Sequence, residues 1–151
     1  MEKELISCKI GIFARIQDKK QEMEKLINVL IVGLGGALGS MLRYGVTLLF
    51  AALDWSGYLA IMLVNALGSL AIGYLSGSVK DSALLLLLTV GACGGFTTFS
   101  TFSMQSVKML QEGRIMPLLL YTLGTVVICV LMAWIGFRLA YCTSNPNGLT
   151  H

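Results

Sequence analysis

Groups able to hold a small ion without a formal charge are concentrated in two places along this chain. Asn65 is a carboxamide inside an apolar run, with Ser69 one helical turn later. Buried there, its two N–H donors need a partner or solvent, and a bond to another helix serves them as well as an ion does. The second place is Gly91-Ala92-Cys93-Gly94-Gly95-Phe96-Thr97-Thr98-Phe99-Ser100-Thr101-Phe102-Ser103. Adjacent glycines followed by β-branched and aromatic residues make a continuous helix costly, which predicts a break around residues 94–97. In lipid such a break is tolerated only where protein or a cavity hides the freed backbone groups. It leaves carbonyls at the end of one half-helix and N–H groups at the start of the next, the arrangement by which discontinuous helices hold ions. A glycine kink satisfied by Thr and Ser side chains is the plainer alternative. Past the break, Thr98, Phe99, Thr101 and Phe102 alternate hydroxyl and ring, although phenyl rings at this spacing more often build a core. Tyr121, Thr125 and Cys129 follow at one-turn intervals as a mildly polar stripe, explained equally well by interhelical hydrogen bonds or by pore lining.

Other chemistries lack their parts. The single histidine is the final residue, His151, and no Asp or Glu falls inside a long apolar run, so intramembrane acid–base, zinc and triad chemistry are excluded. The four cysteines, Cys8, Cys93, Cys129 and Cys142, form no C-x-x-C pair and read as unpaired, without a disulfide or a metal. The net charge of +3 is small, and the basic residues make no stripe interleaved with aromatics, which argues against nucleic acid as a partner.

These residues need elements to position them, and composition says which. Of the 151 residues 56% are apolar and only 13% charged, about half the charged share of a soluble domain. An exterior so poor in charge belongs in lipid. Four apolar runs, at residues 26–50, 58–75, 82–110 and 117–141, are each long enough to cross a bilayer. Short polar joins containing Asp54, Lys80 with Asp81, and Glu112 with Arg114 separate them. Small residues recur at packing intervals, Gly35 and Gly39 in the first run and Ser69, Gly73 and Gly77 in the second, and mark helix contacts. Arg43 is costly in hydrocarbon, and its place near the end of the first run favours a structural anchor over an ion ligand.

Residues 1–24 read as an N-terminal extension, solvated, interfacial or disordered, and non-native if Met23 is the native start; residues 25–142 as the four-helix membrane unit; residues 143–151 as a polar tail. An even number of spans puts both termini on one side. From Met23 onward that side carries Lys25, Lys80 and Arg138, against Arg43, Lys108 and Arg114 opposite, so the charge count does not choose an orientation. Antiparallel pairing follows naturally from such a tie. The extension, with Lys3, Lys9, Arg15, Lys19 and Lys20, breaks it.

The segments Gly35-Gly36-Ala37-Leu38-Gly39-Ser40-Met41-Leu42-Arg43-Tyr44, Asn65-Ala66-Leu67-Gly68-Ser69 and the run from Gly94 to Ser103, in this order and spacing, resemble the Fluc/CrcB family of fluoride ion channels, over about residues 26–140. The resemblance implies an all-α membrane protein of four transmembrane helices with a broken third helix, assembled as an antiparallel dual-topology homodimer. It implies two fluoride pores, in which Asn65 donates to the ion, Phe99 and Phe102 present ring edges, Thr98 and Thr101 stand beside them, and Tyr121 and Thr125 continue a polar track. It further implies a structural sodium ion at the dimer centre, held by the backbone carbonyls of Gly94 and Thr97. The chain departs from the family's pattern at Gln105, where a glutamate is usual, and at Cys129, where a hydroxyl is expected and a thiol is the weaker donor.

The physics of the ion agrees. Fluoride is small and strongly hydrated, so a pore must replace its water with fixed amide, hydroxyl and ring-edge donors, while a full positive charge would hold it too tightly. The expected function is therefore passive fluoride export across the cell's inner (plasma) membrane, relieving toxicity, with fluoride, lipid and a second copy of the chain as partners and no enzymatic activity. A small proton-coupled or multidrug transporter of similar size is the alternative, and it lacks the membrane carboxylate that coupling requires. A non-conducting assembly subunit is a further one.

Overall fold

In the computed structural model the backbone of residues 2–144 and the side chains of residues 12, 13 and 15–144 are described. Every element is helical: α1 (Glu2–Ala52), α2 (Gly57–Ser78), α3 (Ser82–Leu86), a π-helical segment (Leu87–Cys93), α4 (Gly94–Phe96), α5 (Phe99–Gln111) and α6 (Ile115–Ser144). Four helical stretches are long and apolar enough to cross a membrane: Arg15–Ala52, Gly57–Ser78, Ser82–Gln111 and Ile115–Ser144. The second and fourth run a few residues past the apolar runs that announced them. Residues 2–24 are not set apart from the first span but form the first turns of the same helix. Thr143 and Ser144 complete α6, and the rest of the expected polar tail lies outside the described residues.

Short turns reverse the chain between spans. Asp54 takes a positive φ of 56° after α1, and Gly113 one of 68° between α5 and α6, where the absence of a Cβ removes the penalty. Asp81 starts α3 by accepting the Leu84 amide at 2.7 Å on its side chain, which satisfies an otherwise orphaned donor.

Helix packing follows the small residues. α1 lies against the π-helical segment and α4, and α2 lies along α6. At Gly39 an added Cβ would stand 2.0 Å from the Ala92 carbonyl oxygen, and at Gly136 one would stand 2.2 Å from the Leu70 carbonyl oxygen. Backbone therefore meets backbone at both crossings, the contact that drives association where lipid and side chain are equally apolar. Gly136→Ala is expected to lower the unfolding midpoint of the detergent-solubilised protein by about 5 °C or more, because the new methyl has no room. Gly45→Ala, where a Cβ meets nothing within 4 Å, is the control and is expected to leave the midpoint unchanged. Thermal unfolding followed by circular dichroism reads both.

The packed interior is small. Ile61, Phe102, Met109 and Tyr121 form a buried cluster, with Tyr58, Met62 and Leu118 against it. Large apolar side chains such as Leu34, Met41 and Leu120 point outward instead, as a surface solvated by lipid requires.

Candidate ion-binding site

The third span changes conformation at two residues. The helix ends at Phe96, Thr97 (φ −72°, ψ 153°) and Thr98 (φ −144°, ψ 105°) are extended, and α5 begins at Phe99. Asn65 of α2 holds this point. Its Oδ1 accepts the Thr98 amide at 2.8 Å and its Nδ2 donates to the Thr98 carbonyl at 3.3 Å, with both residues buried. A side-chain amide thus replaces the backbone partners that a helix would have supplied. Only one of the two Nδ2 N–H donors is used in this way.

The clamp redirects the neighbouring bonds. In an unbroken helix the Thr98 amide would bond the Gly94 carbonyl, and the Thr101 amide would bond the Thr97 carbonyl. Here the first goes to Asn65, while the second goes to Thr98 Oγ1 at 3.3 Å, which caps α5. The carbonyls of Gly94 and Thr97 are thereby released from those bonds. Thr97 itself is fixed from the other side: its amide and its hydroxyl donate to the Cys93 carbonyl, at 2.9 and 3.0 Å. Gly68 makes room for it, since a Cβ there would lie 2.2 Å from Thr97 Cγ2.

A groove of about 370 Å³ opens beside the clamp, and Asn65, Gly94, Thr97, Phe99, Phe102 and Thr125 all line it. Phe99 is 78% exposed whereas Phe102 is only 9% exposed, with their ring centroids 5.5 Å apart. Phe102 leans on Tyr121 at 5.3 Å, and Tyr121 meets Tyr58 edge-on at 5.7 Å. Tyr121 therefore stands behind Phe102 and not on the groove wall. Thr125 is buried and donates to the Tyr121 carbonyl at 2.6 Å, leaving its oxygen lone pairs as the hydroxyl's remaining capacity.

Two of the hydroxyls singled out in the sequence stand apart from this wall. Thr98 is buried beneath the clamp, with its Oγ1 3.0 Å from Thr101 Oγ1. Thr101 lines a separate cavity of about 230 Å³ together with Arg43, Tyr44, Thr47 and Ile61. Arg43 sits there partly buried, and its Nε has no hydrogen-bond partner among the described residues. Gln105, noted in the sequence only as a departure, turns out to accept the Tyr121 hydroxyl at 2.7 Å. Its place three residues after Phe102, on the same helix face, was the available signal. Ser69, Cys93 and Cys129 also reach the groove.

Comparison with known proteins places this architecture. The family described as CrcB-like protein, Camphor Resistance (CrcB) matches residues 30–137. A Rhodococcus jostii protein named fluoride-specific ion channel FluC 2 is 42% identical over 113 residues, covering 75% of this chain and 98% of its own. A Thermus thermophilus fluoride-specific ion channel FluC is 43% identical over 120 residues, covering 73% of this chain and 91% of its own. Its Clostridium perfringens counterpart is 46% identical over 100 residues, with 62% and 77% covered. The match reaches into all four spans and takes in the Asn65 clamp and the groove, and so this multi-pass membrane protein belongs to the CrcB family.

Proposed function

We propose that this chain is a fluoride-selective channel that lets the ion leave the cell passively, down its electrochemical gradient, across the plasma (inner) membrane. The observation that carries this reading is the Asn65–Thr98 clamp at the edge of a groove with two phenyl rings and two threonines. A spare amide donor, ring edges and no fixed charge suit an anion that must be dehydrated and then released. Relatives bearing the name fluoride-specific ion channel identify the anion and are channels, not enzymes. The apolar runs of the four spans, residues 26–50, 58–75, 82–110 and 117–141, carry no Asp or Glu for proton coupling, so permeation is the driving mode these residues support.

The assembly in this reading is an antiparallel homodimer of oppositely inserted copies, each with its third helix broken at Thr97 and Thr98. Support comes from the groove, which one chain leaves open with Phe99 exposed on its wall, and from the even charge count of residues 25–142. A second copy closes the groove and doubles every feature. The residues fit a central sodium ion: the Gly94 and Thr97 carbonyls, freed by the clamp, are hard oxygen donors, and two chains supply four of them. Bound there, the cation would tie the copies together and offset the cost of dehydrating anions nearby. Replacing sodium by N-methylglucamine on both sides of the membrane is therefore expected to reduce fluoride flux at least about tenfold, reversibly, as measured in proteoliposomes. Unchanged flux would remove sodium from the account.

A growth assay tests the function in cells. A bacterium stripped of its own fluoride exporter should regain growth in millimolar fluoride when given this chain, and should stay sensitive if the reading is wrong.

A further inference from the structure

α2 holds the break in the third span at two points. Asn65 accepts the Thr98 amide at 2.8 Å on its side chain. Gly68 stands three residues later on the same face of the helix, and the methyl of Thr97 fills the notch it leaves, where an added Cβ would lie 2.2 Å from Thr97 Cγ2. The two contacts bracket one peptide unit, the bond between Thr97 and Thr98, which is planar and trans. Its N–H is directed at Asn65, so its other polar group, the Thr97 carbonyl, is directed away from Asn65.

The Thr97 side chain has no free rotation left. Its hydroxyl and its amide both donate to the Cys93 carbonyl, at 3.0 and 2.9 Å. With Oγ1 fixed in that staggered position, Cγ2 points into the Gly68 notch. Filling the notch therefore forces one of two changes: the hydroxyl gives up Cys93, or the Thr97 backbone moves and swings its carbonyl about the Asn65 bond. The other neighbours of an added Cβ are no obstacle. Phe96 Cδ1 would lie 3.4 Å away and Thr97 Cβ 3.7 Å away, both at van der Waals distance. One methyl group is the whole conflict.

We infer that Gly68 and the Thr97 methyl are positioning groups: the notch in α2 seats Cγ2 so that the Thr97 carbonyl keeps the direction in which it ligates a hard cation. This rests on the sodium site proposed above and goes beyond it, because both groups act through the carbonyl and neither is a ligand. Gly68 thereby controls affinity for sodium, in addition to the close helix packing that Gly39 and Gly136 provide.

Sodium-dependent stability tests the inference, since a bound cation raises the unfolding midpoint by an amount that grows with its affinity. Flux alone would not, because Gly68 also lines the groove. The detergent-solubilised protein is purified in sodium chloride or in N-methylglucamine chloride and unfolded by heat. The native chain is expected to melt at least about 5 °C higher in sodium. Gly68→Ala is expected to hold sodium at least about tenfold more weakly, which removes about 3 °C or more of that difference. Gly68→Ala combined with Thr97→Ser, which deletes Cγ2 and keeps the hydroxyl for Cys93, should recover at least half of the loss. An equal fall in both salts for Gly68→Ala, with the sodium difference intact, would overturn the inference and make the notch ordinary packing. A double variant no better than the single one would overturn it too. Should Gly68→Ala fail to fold, the double variant decides: folded and stabilised by sodium it upholds the inference, unfolded or indifferent to sodium it overturns it. A native chain that melts equally in both salts would remove the sodium site itself, and the inference with it.

Discussion

Asn65→Asp is expected to cut the initial rate of fluoride efflux about 100-fold in proteoliposomes while the protein still elutes as a folded species. The two bonds of the clamp explain why one atom matters so much. Aspartate keeps an oxygen for the Thr98 amide, but it replaces the donor facing the Thr98 carbonyl with a second oxygen, so attraction at 3.3 Å becomes repulsion. It also loses the spare N–H and sets a negative charge beside the passing anion. Two unit charges about 4 Å apart repel by about 4 kcal/mol at an effective dielectric of about 20, more than the roughly 2.7 kcal/mol that 100-fold represents. Efflux within threefold of the native rate would show that Asn65 serves only to pack α2 against the third span.

Phe99→Ile is expected to reduce efflux by between about threefold and tenfold, whereas Phe99→Tyr, which keeps a ring, stays within about twofold. The size follows from the worth of a single aromatic edge, about 0.5–1.5 kcal/mol, against about 1.4 kcal/mol per tenfold in rate. Phe99 is the cleaner of the two rings to test. At 78% exposure it supports little of the chain's own packing, so a loss of flux reports on the ring edge. Phe102 is buried between Phe99 and Tyr121, and replacing it would disturb the cluster with Ile61 and Met109 as well. The ion-selective electrode that reads Asn65→Asp reads these variants too.

The spans were legible because lipid imposes a simple rule. Every residue facing hydrocarbon must be apolar, and the interruptions at Asp54, Lys80 with Asp81, and Glu112 with Arg114 stood out against that background. The small-residue intervals were legible for a similar reason: Gly39 and Gly73 meet carbonyl oxygens of neighbouring helices, and only a missing side chain permits that. Exact helix ends were not, since hydrogen bonding carries a helix past the edge of its apolar run, as at Gly57–Ser78 and Ile115–Ser144.

Around the candidate site, local pattern pointed to the right passage and then stopped short. Gly94 and Gly95 are themselves helical, and the extended residues are Thr97 and Thr98. The cause is a contact across 33 residues, Asn65 competing for the Thr98 backbone, and no local propensity contains it. The π-helical segment was equally invisible, because it faces α1 where Gly35 and Gly91 bring the backbones together. Spacing singled out Tyr121 and Thr125, but spacing does not reveal that the Tyr121 hydroxyl is committed to Gln105 on α5. Thr101 illustrates the same limit. It shares a helix with Phe99 and Phe102 yet looks into the cavity beside Arg43.

The most direct measurement of the central claim is fluoride efflux from liposomes holding the purified protein, loaded with potassium fluoride and started by valinomycin in the absence of a proton gradient. The account predicts a fluoride signal rising within seconds, and chloride-loaded vesicles that release nothing above protein-free controls. Fluoride release no faster than from protein-free vesicles, or release that appears only when a proton gradient is imposed, would contradict it.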